Sequence, residues 1–471
     1  MSPAGGARST RLPGARDELD REARIDRAGR GPAPAGSSGA AGEAAVAGEA
    51  AVAREAAVAD PASHRRTLGP RELAALQRLA GNGAVADLIG RSSRRPVRVG
   101  PAAVQRDVDT FLTSTEAGVS TSGSIGTTPG SRSITAHFFP GQSDQKALVI
   151  GGVHGSELSG IAVAEELVRR LSAPGARRPF FTVIIVPSLF PDALARRRAW
   201  EATVRGPLTP AEYRRRRDRA GDPGRITPGQ IDPNRQMPAP GTDFDPANPR
   251  DARGRLIEAE NQALLELIRR FSPTRIASLH AIKDVAKAGV YADPHPSGGG
   301  PGPTDNPLAA GTDVLAVEMA RRVAAGGGRV GGNRLGTPDE TSLYPGQNPN
   351  LSAAQIEREN RRGTTLGQWA PSRGIGVVTV ELPEQYDTAS PVTDAGRAAE
   401  IEAHAAALEE IFLGPPSQAQ QGAMLGAAAV GGAKALGNAV GGAVGGAAAK
   451  LGAAAAAAAA ALGLDVGAEE R

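Results

Sequence analysis

The sequence predicts a mixed α/β fold, a sheet with helices on both faces, for the stretch from about Thr110 to Leu413. Short apolar runs of strand length alternate there with amphipathic runs of helix length. One run, Phe180-Phe-Thr-Val-Ile-Ile-Val186, is apolar almost throughout, as expected for a strand covered on both faces. The segments before and after this stretch are poor in large side chains, so the folded part is set off from its flanks by composition.

Residues 1–63 consist mainly of Ala, Gly, Pro, Arg and Glu, with repeated Gly-Glu-Ala-Ala-Val-Ala blocks around Glu43 and Glu49. Almost nothing in them is large enough to form a core, and they read as a low-complexity leader. No apolar run of signal-peptide length follows Met1, which predicts cytoplasmic synthesis without a signal peptide. A short helical patch follows at 70–90. Pro70 suits a first helical position, Leu73, Leu76, Leu79, Val85, Leu88 and Ile89 recur at near-helical spacing, and Gly81-Asn82-Gly83 interrupts them. The leader is therefore drawn over 1–109.

Within 110–414, Ser133–Phe139 and Ala147–Val153 read as neighbouring strands, and Glu157–Leu171 as a helix. Phe180–Val186 is a strand, Leu256–Phe271 an amphipathic helix and Arg275–His280 a strand. Val314–Ala324 reads as a helix, Val377–Val380 as a strand and Ala398–Leu413 as a final helix. Past Pro415-Pro416 the tail over 415–471 is Gly/Ala-rich and includes nine alanines at Ala453–Ala461. Lys434, Asn438 and Lys450 interrupt it, so no uncharged apolar run reaches the roughly 18 residues a bilayer span needs. A weakly helical tail is favoured over membrane contact, because Ala and Gly bury little apolar area.

Composition excludes several functions. The 54 Lys and Arg against 50 Asp and Glu leave a net charge of +4, too small over 471 residues to argue for nucleic acid as partner. The absence of cysteine removes disulfides, thiolate metal sites and a Cys nucleophile, so any metal must be held by His and carboxylates.

Of six histidines, His154 and His280 sit at the C-terminal ends of predicted strands, where open α/β sheets bind ligands. His154 lies in Gly151-Gly-Val-His-Gly-Ser-Glu157, whose glycines permit a tight turn, and Glu157 opens the next helix. Two imidazoles and one carboxylate form a set that holds catalytic zinc and leaves a position for water. Asn234 and Arg235, in Ile231-Asp-Pro-Asn-Arg-Gln-Met-Pro238, offer an amide and a rigid guanidinium fork to a carboxylate. Glu381, ending Val377-Val-Thr-Val-Glu-Leu-Pro383, is placed to move a proton.

Together, and in the order His154-x-x-Glu157, Asn234-Arg235, His280, Glu381, these elements resemble the zinc carboxypeptidases of the carboxypeptidase A type over roughly 133–413. The resemblance implies a three-layer α/β/α sandwich around a mixed, mostly parallel, eight-stranded sheet. It implies one Zn²⁺ per chain on His154, Glu157 and His280, with Asn234 and Arg235 holding a substrate carboxylate and Glu381 as general base. It further implies a peptide substrate with a free carboxylate, peptidoglycan stem peptides included. Pro187-Ser-Leu-Phe-Pro-Asp-Ala and Gly374-Ile-Gly-Val-Val-Thr-Val-Glu-Leu-Pro383 resemble further family segments. The family's oxyanion arginine has candidates in Arg214–Arg217, Arg219 and Arg225, and the nearest counterpart of its mobile tyrosine is Tyr344. The aspartoacylase and succinylglutamate desuccinylase branch of the fold has a similar Gly-Gly-x-His-Gly-x-Glu stretch and Asn-Arg pair, which keeps deacylation of acyl-amino acids as an alternative.

Leu76-Gln-Arg-Leu-Ala-Gly-Asn-Gly-Ala-Val85 resembles a motif near the start of cargo proteins of bacterial contractile injection systems, and Val104-Gln105-Arg106 looks like the same context. This implies export inside a particle, with its tube or a loading factor as partner. A non-enzymatic alternative is an injected protein acting on membranes through its Gly/Ala tail.

Overall fold

The computed structural model describes residues 100–204, 208–293, 307–336, 362–384 and 394–427. The leader motif at 76–85, Tyr344 and the tail beyond 427 lie outside them. Among the described residues seven strands form one sheet: β1 (Thr121–Thr127), β2 (Ser133–Phe139), β3 (Lys146–Ile150), β4 (Thr182–Val186), β5 (Arg275–Ile282), β6 (Gly289–Asp293) and β7 (Gly376–Pro383). Their order is β1-β2-β4-β3-β5-β7-β6. The four central strands run parallel, whereas β1, β2 and β6 are joined antiparallel. The sheet is thus mixed, as the sequence predicts, but parallel and antiparallel pairings are balanced and seven strands are described where the resemblance implies eight.

The helices are α1 (Pro101–Thr115), α2 (Leu158–Leu171), α3 (Pro191–Thr203), α4 (Pro210–Arg219), α5 (Ala259–Phe271), α6 (Pro307–Ala325), the single turn α7 (Leu366–Trp369) and α8 (Asp394–Ala407). Strand alternation divides the core in two. Leu148, Ile150, Ile184 and Val186 face one layer with α1 and α5 residues such as Phe111 and Leu264, while Val149, Val183 and Ile185 face the other with Leu167, Met319 and Phe412. A run that is apolar at every position therefore finds partners on both faces, as Phe180–Val186 does.

Helix α1 corrects the boundary drawn at 110, which falls inside it. Pro101 occupies its first turn, and Val104, Val108 and Phe111, spaced one turn apart, are buried in the core. Val104 of the Val-Gln-Arg tripeptide is thus a core residue. Among the described residues no helix is long and apolar enough to cross a membrane.

Candidate metal centre and active site

Strand β3 ends at Ile150, and Gly151-Gly152-Val153 turns the chain so that His154 stands above the strand end. Gly152 adopts φ +64°, and a Cβ there would lie 2.8 Å from Ser188 Cα, so both conformation and space require glycine. Glu157 N donates to His154 O (3.1 Å), and Glu157 occupies the N-cap position of α2 without capping it. Its carboxylate turns instead toward the two histidines. His280 arrives on β5, directly paired with Glu381 on β7.

The three side chains are buried, and one donor atom from each lies within 4.8 Å of the others. Nδ1 of His154 is 2.8 Å from Glu157 Oε1 without hydrogen-bond geometry, and Nδ1 of His280 is 2.9 Å from Oε2. The opposite nitrogens are engaged elsewhere: Nε2 of His154 meets Asp232 Oδ1 at 2.9 Å, and Nε2 of His280 meets Ser278 Oγ at 3.0 Å. If each Nε2 carries the proton it gives to that oxygen, both Nδ1 lone pairs face one carboxylate, an arrangement that a cation among them would satisfy. The donor set fits a divalent metal of the zinc type: two imidazole nitrogens and a carboxylate, oriented by outer partners.

The charges agree. Burial disfavours a charged His154, yet Glu157, aided by Asp232, outweighs it and lifts the ring to about 9. Burial also opposes ionisation of Glu157, but His154 and His280 hold its carboxyl well below the usual range. Burial pushes Glu381 up to about 7, with Glu157 adding to the rise against the pull of His280 and Arg225.

Asn234 and Arg235 form the short 3-10 turn Pro233–Arg235. Asp232 joins them to the metal group, because the carboxylate that meets His154 also accepts from Asn234 N at 2.8 Å. Both side chains are half-exposed, hence accessible to a ligand. The Gly363–Trp369 segment lies beside them, with Met237 bridged to Thr364. Of the candidate arginines, Arg225 reaches the centre, its Nη1 2.7 Å from Glu157 Oε1; partial burial works against its charge, but Glu157 with Asp232 and Asp222 keeps it firmly charged. Arg217 instead turns into a buried ion-pair network with Glu384. Asp232 and Ser278 were not singled out from sequence. Asp232, two residues before Asn234 in the same motif, carried the only available signal, whereas Ser278 depends on the strand placing residues i and i+2 on one face.

No protein-family model matches the chain, and no curated protein matches it. Among solved structures it is similar to a metallo-carboxypeptidase from Burkholderia cenocepacia, 14% identical with TM-score 0.38, covering 64% of this chain and 68% of that one. It is also similar to the murein-tripeptide amidase of Escherichia coli O157, 15% identical with TM-score 0.32, covering 61% and 91%. A third is a succinylglutamate desuccinylase/aspartoacylase from Rhodobacter sphaeroides, 17% identical with TM-score 0.31, covering 60% of each. Likenesses at this level assign no role to any residue.

Proposed function

We propose that the chain is a zinc-dependent carboxypeptidase, hydrolysing a peptide or peptidoglycan stem-peptide bond next to a free carboxylate. The observation that carries the reading is the convergence of His154 Nδ1, His280 Nδ1 and the Glu157 carboxylate beside a second carboxylate, Glu381, on the adjoining strand. Zinc, when bound, supplies a Lewis acid that polarises the scissile carbonyl. Asp232 and Ser278 orient the two imidazoles. Asn234 and Arg235 bind the substrate's carboxylate, the guanidinium as a bidentate fork and the amide as a neutral donor. Arg225, charged and half-exposed at the rim, donates to the oxygen that gains negative charge. Glu381, titrating near neutrality, accepts a proton from the attacking water and returns it to the leaving nitrogen.

The test uses the full chain, with metal content measured alongside release of C-terminal residues from a mixed peptide pool, with and without chelator. One zinc per chain and chelator-sensitive trimming are expected. Glu381→Gln should keep zinc and fold while losing turnover by about 10²–10⁴-fold. Zinc without trimming would redirect the reading to acyl-amino acids, and absence of zinc would overturn it. Export within an injection particle, with a tube or loading factor as partner, remains a separate proposal carried by the 76–85 motif. It predicts that deleting 70–90 abolishes loading and spares hydrolysis.

A further inference from the structure

A buried charge network joins α3 and α4 to the loop before Arg225 and to the end of β7. Arg197 on α3 and Arg217 on α4 are each 2% exposed, and guanidinium groups stay charged in proteins, so each needs anionic partners. Arg197 Nη1 donates to Asp222 Oδ1 at 3.4 Å, and its Nη2 lies 3.8 Å from Glu384 Oε1. Arg217 Nη1 lies 3.5 Å from the other Glu384 oxygen, and its Nε 3.9 Å from Asp222 Oδ1. Arg197 also donates to Glu201 (3.0 Å) and Tyr213 OH (2.5 Å), with its guanidinium over the Trp200 and Tyr213 rings.

Both carboxylates shared by the two arginines are three residues from a site residue. Glu384 follows Glu381, and its backbone N–H bonds Ile282 O at 3.0 Å, tying the end of β7 to that of β5. Asp222 precedes Arg225, whose N–H bonds Asp222 O at 3.0 Å. Between them Gly224, at φ +90°, presses so close to α3 that a Cβ would lie 2.6 Å from Ala193 O. Its carbonyl accepts from Ser156 N at 3.2 Å, inside the turn that presents His154 and Glu157.

We propose that Arg197 is a positioning residue: by holding Asp222 to Glu384 it fixes the loop that sets Arg225 against Glu157 relative to the strand end that carries Glu381. The inference rests on the proposed hydrolytic reading for its consequence in turnover, but not for the positioning itself. Lysine keeps the charge yet lacks the fork that spans two carboxylates.

The experiment compares full-length wild type, Arg197→Lys, Arg225→Ala and the double variant, after cooperative melting has shown each to be folded. Hydrogen exchange of the metal-free chains is read first. Arg197→Lys should speed exchange of the Ser156 and Arg225 amides by about tenfold or more while β3 amides keep their protection. The cobalt(II)-loaded chains should show a visible spectrum altered by Arg197→Lys. With substrate, kcat should fall about 10–100-fold with KM nearly unchanged, as for a misplaced catalytic group. In the double variant the effects should not multiply, because Arg197 acts through Arg225. Wild-type exchange at Ser156 and Arg225 in Arg197→Lys would overturn the proposal, as would effects that multiply. A wild type without metal or turnover would refute the hydrolase reading, while the exchange data would still decide this one. Should Arg197→Lys fail to fold, Asp222→Asn takes its place with the same expectations.

Discussion

His154 without metal carries a proton at neutral pH, because Glu157 and Asp232 outweigh the burial that opposes its charge and lift it to about 9. Metal needs the Nδ1 lone pair, so binding must expel that proton. Between pH 6 and about 9 metal affinity should rise by about tenfold per pH unit, and calorimetry in buffers of different ionisation enthalpy should find about one proton released at pH 7. Binding without proton release would contradict the ligand assignment. His154→Ala should lose stoichiometric metal altogether. Asp232→Asn should retain it with affinity about 10–100-fold weaker, since only the ring's orientation suffers. At this scale the sequence was informative about ligand types and largely silent about their supports. His154, Glu157, Asn234 and Arg235 sit in short motifs with local spacing, whereas the choice of Arg225 among neighbouring arginines depends on where a loop returns in space.

Helix α5 carries an energetic liability that pH exposes. Glu260 is buried, and burial, reinforced by Glu258 and Asp192, raises it from 4.5 to about 7. An acid that ionises less readily folded than unfolded costs stability once the unfolded chain has ionised. The cost is absent below about pH 4.5, grows as pH rises to about 7, and stays in full above it. Glu260→Gln should therefore stabilise the protein at pH 8 by on the order of 1–3 kcal/mol relative to its effect at pH 4, measured by urea unfolding at both. A difference independent of pH would sink the expectation. The elements legible in sequence were those with strong periodicity, such as α2, α5, β4 and the central strands. Strand β1, Thr-Ser-Gly-Ser-Ile-Gly-Thr, has a single large apolar residue and exists because β2 pairs with it and α1 covers it. Helix α3, with Arg196-Arg-Arg198 at its centre, shows no apolar stripe because Arg197 points inward to an ionic network.

For the molecule as a whole, the sheet's two packed faces set the stability and the strand ends set the site. Leu148, fully buried in central strand β3, should cost about 2–5 kcal/mol when truncated to Ala, seen as a lower denaturant midpoint with an unchanged slope. Metal that binds the folded chain alone should raise the melting temperature, by a free energy of about 2.7 kcal/mol at a hundredfold excess over Kd, and chelator should reverse it. A melting temperature indifferent to zinc would count against a built metal centre.

The sequence alone determined that strands and helices alternate, that histidines and carboxylates would have to hold any metal, and that His154 and Glu157 stand close together, since apolar periodicity and short-range spacing are written along the chain. Only the tertiary structure decided that α1 joins the core, that β1, β2 and β6 enter antiparallel, and that Asp232, Ser278 and Arg225 complete the centre. The physical reason is the same in each case. Partners more than sixty residues apart, such as Arg225 and Glu157 or His280 and Glu157, leave no local periodicity, and they are chosen by how the sheet's register and its return loops bring opposite charges and buried polar atoms within bonding distance.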